Sequence, residues 1–222
     1  MKTLIASLDI SIASPAMTAI EPGDPDSLIV NFGTDRVCDA VKGGWVAPLE
    51  IRRLRNSTER SRQFRINFLK ECICRRIEEL SPSVVAIEDY GGARTGSAIY
   101  LPEITGHIKN WLFLHDIPYR LYTPQDLKIY AAGRGDARKE EMIAAAIEKF
   151  GLASADQYGK STGDVADALA CLYLLAAELR ARCDPTIVPL LPESTRKVFN
   201  RVTKANPDNL LVRPFVQRKA EQ

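Results

Sequence analysis

The chain is poor in the residues most often used for nucleophilic and zinc chemistry. Its 222 residues include only 2 histidines, His107 and His115, and no Cys-x-x-Cys pair. A Cys/His zinc site and a Ser-His or Cys-His triad are therefore poor fits. The 5 cysteines, Cys38, Cys72, Cys74, Cys171 and Cys183, are odd in number and not spaced as a disulfide framework, which points to a reducing cytoplasm. No apolar run approaches the roughly 20 residues a membrane span needs. The N-terminal MKTLIASLDIS is interrupted at Asp9 and reads as a first strand rather than a secretory signal. Internal repeats and low-complexity segments are missing too. Carboxylates and lysines are left as the agents of any chemistry.

What is present is ordinary for a globular protein: 45% hydrophobic and 26% charged residues, enough for one domain plus a tail. The formal net charge is only +2, but its distribution is uneven. Residues 51–76 carry nine Lys/Arg (Arg52, Arg53, Arg55, Arg60, Arg62, Arg65, Lys70, Arg75, Arg76) against Glu59 and Glu71, a local +7. Residues 185–222 carry seven against three acids, a local +4, so the rest of the chain holds −9. Basic stretches beside an acidic remainder fit a polyanion partner, or equally a solvated helix face and a basic tail.

Residues 2–9 read as a strand ending on an acid, with further strands at 16–20 and 27–32 around the turn-rich EPGDPD. Residues 56–80 carry a helical pattern with Phe64, Phe68, Leu69, Ile73 and Ile77 assigned to one face. SVVAIE, residues 83–88, is a buried strand that again ends on an acid. A helix follows over 97–115, a strand over 118–122, and a helix led by Pro124. After the loop GRGDAR come helices over 139–150 and 163–182, the last apolar on nearly all sides. This order predicts an α/β fold with a sheet covered on both faces. The last forty residues, with five prolines and little periodicity, read as an extended arm.

The carboxylates stand where core-forming segments end. Asp9 closes the first strand, Glu88 closes SVVAIE, and Asp164 and Asp167 lie three apart near the start of an apolar helix, hence on one face. Strand-end acids sit at a sheet's rim. Four acids without histidine suit hard cations such as Mg²⁺, and two ions about 3.5–4 Å apart can promote phosphodiester hydrolysis. Bland roles exist for each: Ser161 and Asp164 could form a capping box, and Asp9 and Glu88 could be solvated strand ends. Asp167 is harder to explain that way, because it interrupts an apolar helix.

Four stretches, SLDISIASPAMTAI, VVAIEDYGGA, YTPQDLKIYAAGRGDARKEEM and GDVADALACLYL, resemble the RuvC-type Holliday junction resolvases of the ribonuclease H-like superfamily. The likeness runs from about Leu4 to Ala177. The most telling parts are a Pro-led helix with a lysine, a Gly loop and a second lysine (Pro124, Lys128, Gly133, Gly135, Lys139), and the run Asp164-Val-Ala-Asp167-Ala-Leu-Ala. The resemblance implies a ribonuclease H-like mixed sheet flanked by helices over residues 1–183, with a basic, Pro-containing extension over 184–222. It implies that Asp9, Glu88, Asp164 and Asp167 are catalytic metal ligands for Mg²⁺, with Mn²⁺ substituting. Lys128 and Lys139 would act at the scissile phosphate. DNA contacts are expected from Arg52, Arg53, Arg55, Tyr90, Arg134 and Arg138. Asp9-Ile10-Ser11 stands where bacterial members tend to have Asp-Pro-Gly, and Gly91 and Gly92 follow Tyr90, near where members carry a wedging aromatic. These departures mark a divergent, phage-type member.

The implied activity is a homodimeric endonuclease that cuts four-way DNA junctions by paired nicks, in the cytoplasm of a cell or of a phage host. Other branched DNA or RNA substrates remain open, as does a non-catalytic junction binder. An actin-like ATPase shares the strand-acid start but wants a glycine-rich phosphate loop, and residues 10–14 hold no glycine.

Overall fold

The structure, a computed structural model, describes residues 4–10, 15–21, 28–31, 59–89, 101–156 and 158–205. Five strands, β1 (Ile5–Asp9), β2 (Ala16–Ile20), β3 (Leu28–Asn31), β4 (Val84–Glu88) and β5 (Tyr119–Tyr122), form one sheet in the order β3-β2-β1-β4-β5. β1, β2 and β3 pair antiparallel, while β1–β4 and β4–β5 pair parallel. The sheet is thus mixed, as the family resemblance implies. The helices are α1 (Glu59–Leu80), α2 (Leu101–Leu114), α3 (Pro124–Ala132), α4 (Lys139–Phe150), α5 (Thr162–Cys183) and α6 (Glu193–Ala205).

The helices divide between the two faces of the sheet. One cluster packs Ala6, Leu8, Met17, Ala19, Val85 and Ile87 against α1 and α2 through Ile66, Ile73, Ile77, Ile104, Ile108 and Leu112. The other packs Ile5, Ala16, Ile20, Val84, Ala86 and Tyr122 against α3, α4 and α5. Successive strand side chains point to opposite faces, so each strand contributes to both cores. That explains why these strands lack polar alternation.

Two expectations need correction. Phe64 is 39% exposed, whereas Ile66, Leu69, Ile73 and Ile77 carry the buried face of α1. At about 100° per residue, Phe64 lies half a turn around the helix from Ile73, on the far side. The extended-arm reading also fails for residues 185–205. They form a 3₁₀ turn over Pro185–Leu190 and the helix α6, whose Val198 and Val202 are buried in the core beside α3. Residues 206–222 lie outside the described residues.

A buried polar knot ties α6 to the sheet. Arg120 on β5 donates to both carboxylate oxygens of Glu178 on α5, at 3.0 and 2.6 Å, and to the Val202 carbonyl at 3.2 Å. Tyr122 donates to Glu178 at 2.7 Å. Arg201 on α6 pairs with Asp126 on α3, whose carboxylate also closes the capping box with Thr123 at the start of that helix.

Candidate active site

Strand parity decides where the first two acids point. Ile5, Ser7 and Asp9 share one face of β1, and Val84, Ala86 and Glu88 share the same face of β4. Leu8 pairs with Ile87, so Asp9 and Glu88 emerge side by side at the adjacent C-terminal ends of two parallel strands. That face is covered by α5, which brings Asp167 down onto them. Carboxylate oxygens of Asp9, Glu88 and Asp167 all lie within 4.8 Å of one another.

The approach of α5 is fixed from below. The Ser7 hydroxyl donates to the Ala168 carbonyl at 2.6 Å and shares a 2.6 Å hydrogen bond with Thr18, whose hydroxyl lies 3.3 Å from the same carbonyl. All three residues are buried. Alanines 166, 168 and 170 let the helix lie close against the strands. Ser7 and Thr18 are residues that sequence reasoning missed. Their signal was available: they are polar residues inside apolar strands, on the face parity assigns to Asp9.

Placing three carboxylates together out of water is unfavourable, and their proton affinities show it. Burial, followed by the charges of Glu88, Asp167 and Asp164, pushes Asp9 well above the usual carboxylate range. Burial raises Asp167 to about 7, aided by Glu88 and opposed by Lys139. Burial also raises Glu88, while a hydrogen bond from Asp9 and the nearby Lys128 pull it down. Burial therefore pushes both members of the Asp9–Glu88 pair upward. A donor set of hard carboxylate oxygens with this excess of negative charge fits divalent cations such as Mg²⁺. Neither histidine belongs to it: His115 stacks on Trp111, and His107 is exposed on α2. The Cys171 thiol, one turn beyond Asp167, is held far above its ordinary value by burial and carries no thiolate.

Asp164 stands one turn before Asp167 and plays a different part. It is not in the three-acid group, and Ser161 forms no side-chain cap, so the capping box is not made. Instead the Lys139 ammonium donates to Asp164 at 2.9 Å. Partial burial alone would lower the Lys139 ammonium. The bond to Asp164 and the charges of Asp164, Asp167 and Asp9 outweigh that and raise it. Lys139 occupies the first turn of α4, where the helix dipole disfavours a cation, and it spends its charge across the loop on α5 instead. Lys128, on α3, stands close enough to lower both Glu88 and Asp167.

The loop between the two helices is GRGDAR, residues 133–138, as the sequence indicates: α3 runs to Ala132 and ends on Gly133 with φ +81°. Within the loop, Arg134 is exposed and bonds Asp136 at 2.8 and 3.0 Å and Glu141 at 3.3 Å. Arg138 caps α4, its backbone N–H donating to Glu141 at 2.7 Å, and its side chain is exposed. Arg52, Arg53, Arg55 and Tyr90 lie outside the described residues.

No family model matches the chain. Among curated relatives, the crossover junction endodeoxyribonuclease RuvC of Corynebacterium diphtheriae is 31% identical over 138 residues, 60% of this chain and 80% of that protein. The enzyme of the same name from Chlorobaculum parvum is 30% identical over 122 residues, and the chain spans 63% of its length. Among solved structures, Thermus thermophilus RuvC matches with a TM-score of 0.54 at 19% identity, covering 82% of this chain and 96% of that one. The same protein in complex with a Holliday junction substrate gives 0.51 at 20% identity, with the same coverage. The likeness to these structures is one of fold.

Proposed function

The chain belongs to the RuvC family, and from that premise we propose that it is a metal-dependent, structure-selective DNA endonuclease that resolves four-way junctions by paired, symmetric nicks. The observation that carries this reading is the meeting of Asp9, Glu88 and Asp167, from three separate elements, at the rim of the sheet with two lysines beside them. Asp9, Glu88 and Asp167, with Asp164 alongside, would hold Mg²⁺ or Mn²⁺. Bound there, such ions supply an activated water and neutralise charge at the leaving oxygen.

The remaining work falls to the chain's own side chains. Lys139 and Lys128 place point charges at the edge of the acid cluster, where a phosphodiester would lie. Arg134 is held by exposed ion pairs to Asp136 and Glu141, which water screens and a phosphate can replace. Arg138, Arg52, Arg53, Arg55 and Tyr90 are assigned to the DNA path. Four acids repel a DNA backbone unless cations are present, which argues against a purely binding role. A homodimer would match two acid clefts to the two-fold symmetry of the junction. The folded nuclease unit in this reading extends beyond residue 183 to Ala205, because α6 shares its core. No helix among the described residues is long and apolar enough to cross a membrane, and a cytoplasmic site of action is part of the proposal.

The deciding experiment presents the protein, with Mg²⁺, to labelled four-way junction, duplex, flap and RNA–DNA hybrid side by side. Symmetric cutting of the junction well ahead of the others is expected. Equal cutting of flaps or hybrids would reassign the substrate, and binding without cutting would overturn the enzymatic reading.

A further inference from the structure

Gly163 opens α5 immediately before Asp164, and nothing in its own backbone demands glycine. The left-handed glycines of the described residues are Gly133, Gly151 and Gly159, and Gly163 is not among them. Glycine inside a helix is unfavourable relative to alanine, so its presence calls for another cause. The cause is space. A Cβ built on Gly163 would overlap the Lys139 Cε outright and would stand 2.7 Å from both Cδ and Nζ of that side chain. The Lys139 stem lies directly on the Gly163 backbone on its way to Asp164, 2.9 Å from the ammonium.

We propose that Gly163 is a positioning residue: its bare backbone is the track along which Lys139 crosses from α4 to Asp164 at the edge of the acid cluster. The idea rests on reading Lys139 as a phosphate-contacting group. Lys139 reaches α5 from a separate helix, α4, whose packing in the core fixes where the lysine stem begins. A side chain at position 163 would take the place of the Lys139 Cε and displace the stem from the path the structure shows. The obstructed atoms belong to the flexible end of a lysine, so an added methyl need not disturb the packing of α5. Fold and function therefore come apart at this position, which is the mark of a positioning role.

The test uses the full chain with Gly163→Ala, Lys139→Ala, the double variant, and Gly106→Ala as control. Gly106 also lies in a helix, α2, but a Cβ there meets nothing within 4 Å. Three readouts are taken: the melting temperature, the ¹⁵N resonance of the Lys139 ammonium group (assigned by its disappearance in Lys139→Arg), and junction cleavage with Mg²⁺. Gly163→Ala should melt no lower than the native protein. Its Lys139 resonance should move to the position of exposed lysines. Its kcat should fall at least about tenfold, as expected when a charge aimed at the reacting phosphate is lost, with KM for the junction changing far less. Combining it with Lys139→Ala should give no further loss, since the two act as one unit. Gly106→Ala should leave the resonance and kcat unchanged.

A melting temperature several degrees lower in Gly163→Ala would reduce Gly163 to a packing role and overturn the inference. So would an unmoved ammonium resonance, or losses in the double variant that multiply. If the native protein cuts no branched DNA at all, the functional reading fails, while the resonance and the melt still decide whether Gly163 places Lys139.

Discussion

Asp167→Asn should make the metal-free protein more stable while ending its activity. The ordinary aspartate value is 3.8, and burial together with Glu88 raises Asp167 to about 7. At about 1.36 kcal/mol per pH unit, ionising it in the folded protein costs about 4 kcal/mol more than in the unfolded chain. The carboxylate is partly exposed, and an asparagine amide brings its own desolvation cost, so the net gain at pH 8 should be about 1–3 kcal/mol. For a chain of this size that is a rise of about 2–10 °C in melting temperature. The pH dependence has a definite sign. Between about 4 and about 7 the folded protein keeps a proton on Asp167 that the unfolded chain has released. This contribution is therefore fully present below pH 4 and is lost as pH rises through about 7. The native protein in EDTA should lose stability from pH 5 to pH 8 more steeply than the variant does. Adding Mg²⁺ should stabilise the native protein and much less so the variant. Denaturant titrations at both pH values, with and without Mg²⁺, measure all of this. An Asp167→Asn protein less stable than native at pH 8 in EDTA, with the same pH slope, would refute the account of the cluster as a strained set of like charges. Junction binding should persist in the variant, since it rests on basic residues. Full cleavage by it, or by the native enzyme in excess EDTA, would refute the metal assignment.

Three further outcomes are expected. Lys128→Ala and Lys139→Ala together should lower the cleavage rate at least about tenfold, with a stability change near the 0.5 kcal/mol typical of surface sites; undiminished turnover of a four-way junction would return both to the status of ordinary surface lysines. Neutralising Arg52, Arg53 and Arg55 should weaken binding to every DNA shape and flatten the salt dependence by up to about 0.9 per lost contact, and an unchanged slope would mean they face solvent. Glu178→Ala takes from Arg120, 1% exposed, the carboxylate that balances its buried charge. It should destabilise the protein by about 3–5 kcal/mol, and near-native unfolding in urea would show that the guanidinium has found water.

The legible parts of this molecule are those governed by short-range rules. SVVAIE and LIASLD are apolar, brief and closed by an acid, so strand and rim position follow together. The Asp164–Asp167 spacing fixes one helix face. The alternation of strand side chains also locates Ser7 and its register partner Thr18, polar residues on the face that carries Asp9. Phe64 is as apolar as its neighbours, but its helical angle, half a turn from Ile73, puts it on the exposed side. α6 was missed behind Pro185, Pro189 and Pro192, although Thr195, Val198 and Val202 already stand at helical spacing. Gly163 is the opposite case. Its reason is Lys139, 24 residues earlier on another helix, and no local pattern could connect them.

The placement of the acids shows what the fold gives up to make a site. By folding criteria alone, the positions of Asp9, Glu88 and Asp167 call for apolar residues. Asp9 continues the face of Ile5, Glu88 continues the face of Val84 and Ala86, and Asp167 lies between the buried Ala166 and Ala168. Each substitution of acid for hydrocarbon works against the core, and their nearness compounds the cost. Elsewhere the same core pairs a buried charge closely, as the Arg120–Glu178 pair and its Tyr122 and Val202 contacts show. At the rim, among the described residues, Lys139 bonds Asp164 and not the three-acid group. A protein that can neutralise a buried carboxylate with arginine, yet leaves three of them facing one another, has kept that charge for something outside the chain. Ser7 and Thr18 hold α5 against the sheet, so the carboxylates cannot relieve their repulsion by drifting apart. The strain is discharged by a cation of matching charge or by protons, and this is why metal affinity and acid stability should rise and fall against each other in this protein.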